Sequence, residues 1–70
     1  DIVMYDDIAD AMKQAAIETG AKICWGAAWH IDNIAEWDGT MEAAMNAYVD
    51  LRRSQSRRPF IDGPHFQLST

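Results

Sequence analysis

The chain is poor in cysteine, in basic residues and in long apolar runs. Its single cysteine, Cys24, excludes an internal disulfide. Six basic against eleven acidic residues give a net charge of −5, which argues against a general nucleic-acid-binding protein. No stretch approaches the roughly 20 apolar residues of a membrane span, and the first residues lack the basic and apolar regions of a signal peptide. We therefore expect partners that are neither nucleic acids nor membranes.

The chain is also short. A domain of this size buries only about 60% of its unfolded surface, so a hydrophobic content of 49% in 70 residues predicts that some apolar surface stays open. We expect that surface to dock a missing N-terminal part of the domain or a partner chain. Cys24 lies in an apolar run between Ile23 and Trp25, which is typical of a buried small side chain rather than of a nucleophile.

Apolar residues recur at helical spacing in two segments, 2–18 and 40–53, and predict two helices. In the first segment this spacing places acidic residues such as Asp6 largely on the outer faces. Gly20 is expected to end the first helix in a left-handed turn.

Two short segments have the character of β-strands. Residues 22–25 are expected to form the first strand. In the second, Phe66 and Leu68 are expected to lie buried on one side. His65 and Gln67, which alternate with them, would then face a cleft.

The segment between the helices has a weaker pattern. Ile31, Ile34 and Trp37 recur every three residues and indicate one or two turns of helix. Thr40, or Asp38, is expected to cap the second long helix. Together these patterns predict an α+β fold, with two main helices and a small antiparallel sheet of two or three strands.

An acid and a histidine flank a Gly-Pro step near the end of the chain, in Asp62-Gly63-Pro64-His65. Gly63 frees the backbone and Pro64 fixes φ, so a turn here can bring the carboxylate and the imidazole to one side. Such a pair suits a metal site, in which the imidazole binds the metal and the acid moves protons. On its own, however, the spacing fits a loop aspartate that accepts backbone hydrogen bonds better than it fits a site.

Two longer segments resemble motifs of one family. Residues 20–29, GAKICWGAAW, resemble the GI-x-I-x-WGG-x-W segment of the M15 zinc peptidases, and residues 62–68, DGPHFQL, resemble that family's C-terminal metal-binding strand. The nearest subgroup is the L-alanyl-D-glutamate endopeptidases of bacteriophage endolysins and phage-tail hydrolases. The resemblance covers nearly the whole chain, is weakest over residues 31–58, and implies an M15-type (Hedgehog/D-Ala-D-Ala peptidase-like) domain.

One part of the family pattern has no counterpart in this sequence. The family's upstream Ser-x-His-x-x-Gly-x-Ala-x-Asp stretch supplies two zinc ligands and is not found here. Asp1 aligns better with the beginning of a helix than with the missing ligand. The resemblance therefore implies that residues 1–70 are the C-terminal part of a single peptidase domain, inactive when alone.

The resemblance assigns roles to the motif residues. His65 is the third protein ligand of a catalytic Zn²⁺, whose two further ligands lie outside this chain, and Asp62 is the acid–base residue. Trp25, Trp29 and His30 are substrate-cleft candidates, although tryptophans more often pack in a core and a lone histidine is more often a neutral loop residue.

The implied substrate is the peptide stem of peptidoglycan, cut between L-Ala and D-Glu. If the protein is phage-encoded, the implied location is the virion tail, or the host cytoplasm before lysis. Three alternatives stay open: a non-catalytic cell-wall-binding or virion structural module on the same fold, a D-alanyl-D-alanine carboxypeptidase, and a small acidic interaction domain unrelated to peptidases.

Four of the six basic residues lie together in residues 52–58, RRSQSRR. One interpretation is an anion-binding surface for phosphate-rich cell-wall polymers or for a partner. The other, which the sequence alone favours, is a solvated helix end whose cations complement the last carbonyl groups.

Overall fold

The computed structural model describes residues 2–69, with side chains from Tyr5 onward. Its elements are, in chain order, α1 (Ile2–Thr19), β1 (Ile23–Trp25), a 3₁₀ turn (Ile34–Glu36), α2 (Met41–Ser54) and β2 (Phe66–Leu68). The strands pair antiparallel. The predicted α+β class, with two helices and a small antiparallel sheet, is therefore confirmed for these residues. Asp1, which the sequence places at the start of the first helix, lies outside the described residues.

Helix α1 packs on the rest of the molecule through small side chains. Ala9 and Ala16 are buried, because an alanine lets a helix approach its neighbours closely. The helix is followed by Gly20, whose φ of 76° is the left-handed conformation that glycine adopts without steric cost. The Gly20 amide donates a 2.9 Å hydrogen bond to the carbonyl oxygen of Ala16. Gly20 thus ends the helix as predicted.

One acidic residue of α1 lies inside the molecule. Asp6, predicted to lie largely on an outer face, is 5% exposed, and neither of its carboxylate oxygens has a hydrogen-bond partner among the described residues. Burial, followed by the charges of Glu42, Asp10 and Asp7, raises the pKa of this carboxyl group. The prediction is wrong because α1 packs against the start of α2 as well as against β1, so a wider strip of the helix is covered.

Polar contacts join α1 to the segment that begins α2. Asp10 Oδ1 accepts a 2.9 Å hydrogen bond from the amide of Met41. Lys13 Nζ donates to the carbonyl oxygens of Trp37 and Gly39. Asp10 satisfies an amide that the start of α2 leaves unpaired, and Lys13 ties the preceding loop to α1, so the two side chains position α2 against α1.

Caps define the two helical segments after β1. Thr40, one of the two predicted capping residues, accepts a 3.2 Å hydrogen bond at Oγ1 from the amide of Ala43. Asn33 caps the 3₁₀ turn in the same way, through a 3.1 Å bond from Ala35. The three-residue rhythm over 31–37 therefore corresponds to a single turn.

The sheet aligns Ile23 with Leu68 and Trp25 with Phe66. All of β1 is buried, and the Trp25 ring stacks on Phe66 with centroids 6.2 Å apart. Leu68, predicted to be buried beside Phe66, is 72% exposed. The prediction is wrong at Leu68 because β2 is the edge of a two-stranded sheet, and nothing in the described residues covers its far end.

The core lies between α1, β1 and α2. The largest fully buried side chains are those of Trp25, Ile34 and Met41. Several large apolar side chains are exposed instead, as the short chain predicts: Ile8, Ile17, Leu51, Phe60 and Leu68. Neither helix in the described part of the chain combines the length and the apolar character that a membrane crossing requires.

Candidate functional site

Residues Asp62–His65 form a tight turn against Gly26. The amide of His65 donates a 3.0 Å hydrogen bond to the carbonyl oxygen of Asp62, which closes the turn. Asp62 also donates from its amide to the Gly26 carbonyl, and the Gly26 amide donates to the His65 carbonyl, both at 2.8 Å. The turn thus continues the hydrogen-bond ladder between β1 and β2, which holds both candidate residues by their backbones.

Two glycines make this close approach possible. A Cβ on residue 26 would overlap the carbonyl oxygen of Asp62 and lie 2.9 Å from the Cβ of His65. A Cβ on residue 63 would lie 2.6 Å from the ring of Tyr5. Gly26 and Gly63 are therefore required because backbone and ring come too close for any side chain.

Trp25 supports the turn from inside. Its indole Nε1 donates a 2.7 Å hydrogen bond to the carbonyl oxygen of Gly63, and the side chain is fully buried. Trp25 therefore lies in the core beneath the turn rather than on a cleft wall. The reason is that its ring is covered by Phe66 on the sheet and its one polar atom is directed to the turn.

Asp62 and His65 face each other across the turn. His65 Nδ1 lies 4.0 Å from Asp62 Oδ2. The side chain of His65 is 40% exposed and that of Asp62 is 44% exposed. His65 Nε2 lies 2.8 Å from Gln67 Oε1. Because an amide oxygen only accepts hydrogen bonds, Nε2 is the donor in this contact.

Trp29 lies beside this pair. Its ring centroid is 5.3 Å from that of His65 and 6.3 Å from that of Phe60. Phe60 is 64% exposed, so the two rings extend an apolar surface away from the imidazole. The sequence indicated Trp29 as a cleft candidate but did not indicate Phe60. The only sequence signal for Phe60 is that it is an aromatic residue directly after Pro59.

His30 lies in a different environment. Its ring stacks on Tyr48 at 5.7 Å and meets the edge of Trp37 at 6.1 Å. The residue as a whole is exposed, yet desolvation of the ring lowers the pKa of the imidazole. In the described residues no hydrogen bond, ion pair or ring contact joins His30 to the Asp62–His65 pair. The structure therefore does not bring His30 into this site.

Cys24 has no nucleophilic character. Its thiol is free and buried in β1. Burial, and to a lesser extent the charge of Asp32, raises the pKa of the thiol. The thiol is protonated at neutral pH, so the predicted role of a buried small side chain is confirmed.

A concave region lies at the opposite end of the sheet from the turn. It encloses about 510 Å³ and is lined by Lys22, Ile31, Asp32, Asn33, Glu36 and Ser69. Neither the imidazole of His65 nor the carboxylate of Asp62 takes part in it. We place the candidate site at the turn, because a ring nitrogen of His65 and the carboxylate of Asp62 lie 4.0 Å apart there and both side chains are accessible.

The described residues do not by themselves form a set of metal ligands. Within residues 2–69, no group of three His, Cys, Asp or Glu side chains is arranged to hold a metal ion. No protein-family model, curated protein or solved structure matches the chain. The resemblance to the M15 zinc peptidases therefore rests on the residues of its two motifs.

Proposed function

We propose that this chain forms the C-terminal part of an M15-type, Hedgehog/D-Ala-D-Ala peptidase-like domain. In this proposal the domain is a zinc-dependent peptidoglycan peptidase that cuts the peptide stem between L-Ala and D-Glu. The observation that carries the proposal is the pair of His65 and Asp62, with Nδ1 and Oδ2 4.0 Å apart on a half-exposed turn. A zinc hydrolase needs this combination, since one residue must hold the metal beside another that moves protons.

The surroundings of His65 fit a zinc ligand. A ligating histidine usually donates its second ring N–H to an acceptor that fixes the orientation of the ring. Gln67 is placed as that acceptor for Nε2, and the Trp29 ring packs beside the imidazole. His65 Nδ1 would therefore hold Zn²⁺, together with two ligands from outside this chain.

The position of α1 indicates where those ligands would enter. Tyr5, near the start of α1, packs directly on Gly63 in the turn. A segment that precedes α1 in the full-length protein would thus reach the site next to Asp62 and His65. We expect the two further ligands, a His and an Asp, in that segment.

The residues of this chain would divide the chemistry among them. Bound zinc would polarise the scissile carbonyl and would lower the pKa of water toward neutrality. Asp62 would accept the proton of the attacking water at Oδ2 and return it to the leaving amine of D-Glu. Gly26 and Trp25 would keep the turn in place, while Trp29 and Phe60 would offer the stem an apolar surface.

Variants of the full-length protein test these roles. H65A is expected to lose stoichiometric zinc, measured by metal analysis after dialysis. D62N is expected to keep zinc and lose about 10²–10⁴-fold in hydrolysis, because the ligand set survives while the proton acceptor does not. Q14A, on the exposed side of α1, is the control and should behave as wild type.

Mass spectrometry of digested peptidoglycan separates the possible functions. Products with a new D-Glu amino terminus would support the proposal, whereas release of a terminal D-Ala would indicate a carboxypeptidase. Binding to peptidoglycan without hydrolysis would indicate the non-catalytic cell-wall-binding or virion structural module. Zinc retained by H65A, or wild-type hydrolysis by D62N, would contradict the assigned roles.

A further inference from the structure

A cluster of basic residues spans the last turn of α2 and the loop after it, in an otherwise acidic chain. Four of the six basic residues lie within residues 52–58, although the net charge is −5. Three of them, Arg53, Arg57 and Arg58, are exposed and together form an arginine surface. In the described part of the chain, the only acid–base pair within 4.0 Å is that of Asp62 with His65. The guanidinium groups of the arginine surface are therefore available to a ligand.

The backbone beneath these arginines is folded back on itself. The Arg57 amide donates a 2.9 Å hydrogen bond to the carbonyl oxygen of Arg52, and Ser56 adopts a left-handed φ of 58°. Arg52 Nε donates in turn to the carbonyl oxygen of Arg58 at 3.3 Å. Together with the 3.0 Å hydrogen bond from the Ser56 amide to the carbonyl oxygen of Arg53, this is the ordinary C-terminal cap of a helix, as the sequence alone favours for this segment. Here one arginine holds the loop that carries two others, which lowers the entropy lost when they bind a ligand.

Arg58 of the arginine surface is linked to the candidate site through the chain and two aromatic rings. Arg58 precedes Phe60 by two residues, at most about 7 Å of chain. The Phe60 amide donates to Tyr48 Oη at 3.2 Å, which anchors this part of the loop on α2. The Phe60 ring stacks on Trp29, and Trp29 packs beside His65. A path of neighbouring residues therefore leads from Arg58 through Phe60 and Trp29 to the proposed ligand.

The substrate of the proposed function, on which this inference rests, carries anions that this path would meet. D-Glu is joined to L-Ala through its amine and to the next residue through one carboxyl group, so its second carboxyl group is free and charged. Arginine binds a carboxylate through two parallel hydrogen bonds from its planar guanidinium group. We infer that the arginine surface binds carboxylates on the D-Glu side of the cut bond, and so selects acidic stems over amidated ones.

Nucleic acid is the other polyanion that exposed arginines bind. A protein that follows a phosphate backbone needs a basic stripe across much of one face. Outside residues 52–58 the chain has two basic residues, Lys13 and Lys22, against eleven acidic ones. The surroundings of the arginine surface would therefore repel a long phosphate polymer, whereas a short acidic peptide needs only the local cluster.

Binding of the product peptide that begins at D-Glu tests the inference in the full-length protein, because this peptide lacks the scissile bond. Calorimetry compares the peptide with free carboxyl groups and the same peptide with amidated carboxyl groups. R57Q and R58Q are each expected to weaken binding of the free form about tenfold, because each variant lacks one guanidinium group and its charge. Binding of the amidated form should not change. K22Q removes one positive charge at the opposite end of the sheet and should match wild type with both peptides.

The inference is overturned if wild type binds both peptides equally or binds neither, or if R57Q and R58Q behave like K22Q. It is also overturned if the arginine variants lose binding only to a single-stranded DNA oligonucleotide. Failure of the proposed function is seen separately, as absence of hydrolysis of intact peptidoglycan by the wild-type protein. If hydrolysis is found, R57Q and R58Q should raise KM and leave kcat nearly unchanged, since the lost contact is made in the ground state.

Discussion

The amide of Gly26 donates a 2.8 Å hydrogen bond to the carbonyl oxygen of His65. The carbonyl oxygen of Gly26 accepts an equally short bond from the amide of Asp62. One backbone position therefore holds both ends of the turn that carries the candidate site. The relative placement of carboxylate and imidazole depends on a residue that has no side chain.

Replacement of this glycine should damage the site directly. In G26A the new Cβ would overlap the backbone of Asp62, which cannot move as a flexible side chain can. We expect a loss of about 1–3 kcal/mol in unfolding free energy, measured by urea denaturation, together with loss of zinc from the full-length protein. G20A is the matched control, because its Cβ meets nothing within 4 Å. It should lose stability from its left-handed φ yet keep zinc; zinc retention by both variants would refute the steric argument.

The indole of Trp25 should contribute through its hydrogen bond as well as its packing. W25F keeps an aromatic ring in the core but leaves the Gly63 carbonyl oxygen without its donor. We expect a loss of about 1–3 kcal/mol, the typical effect of an unpaired buried polar group. W37F removes a comparable bond, from Nε1 to the Thr40 carbonyl at 2.9 Å, but at an exposed position where water replaces it. Equal losses in the two variants would show that burial of the Trp25 bond has no special effect.

If His65 binds zinc as proposed, Gln67 should tune its affinity for the metal. Q67L removes the acceptor of the Nε2 proton, and loss of such a partner commonly weakens metal binding about 10–100-fold. Q67E retains an acceptor and should bind zinc at least as tightly as wild type. Competition with a chromogenic chelator gives the affinities. Identical affinities for Q67L and wild type would contradict the tautomer assigned to His65.

Asp10 and Thr40 should act together at the start of α2. Asp10 accepts from the Met41 amide, and Thr40 accepts from the Ala43 amide. D10A and T40A should each lower the unfolding free energy by about 1 kcal/mol. Because both residues satisfy the same helix terminus, the double variant should depart from additivity. An unchanged denaturation midpoint in D10A would show that this long-range cap does not position α2.

Asp6 should make stability depend on pH. Its pKa is raised in the folded protein, above the ordinary value of 3.8. Because the folded state binds this proton more tightly than the unfolded state, protonation of Asp6 stabilises the fold. This contribution to the unfolding free energy is complete below the unfolded-state pKa and is lost as the pH rises through the raised pKa. D6N removes the buried charge and should therefore melt higher than wild type at pH 7.

The advantage of D6N should shrink as the pH is lowered toward the ordinary carboxyl range. D7N is the control, since Asp7 is exposed on the next position of the helix, and its melting temperature should stay close to that of wild type. A D6N protein less stable than wild type at pH 7 would show that a cation from outside the described residues pairs with Asp6.

The local elements could be predicted because their signals lie close together in the chain. Gly20 and Thr40 bound the helices through contacts with residues three or four positions away. The turn at Asp62–His65 follows from a glycine and a proline that restrict the same few dihedral angles. The alternation of His65 and Gln67 predicted that both face one side, which agrees with the contact between their side chains.

The sequence by itself therefore determined the helices, the strands and the turn with its acid and its histidine. Only the tertiary structure decided that Asp6 is buried, that Leu68 is exposed and that Trp25 lies beneath the turn. It also decided that Phe60 rather than His30 adjoins His65 through Trp29. The physical reason is that burial depends on which distant element covers a side chain. A local pattern fixes the face on which a residue lies, but the packing of α2 and the open edge of β2 determine whether that face meets protein or water.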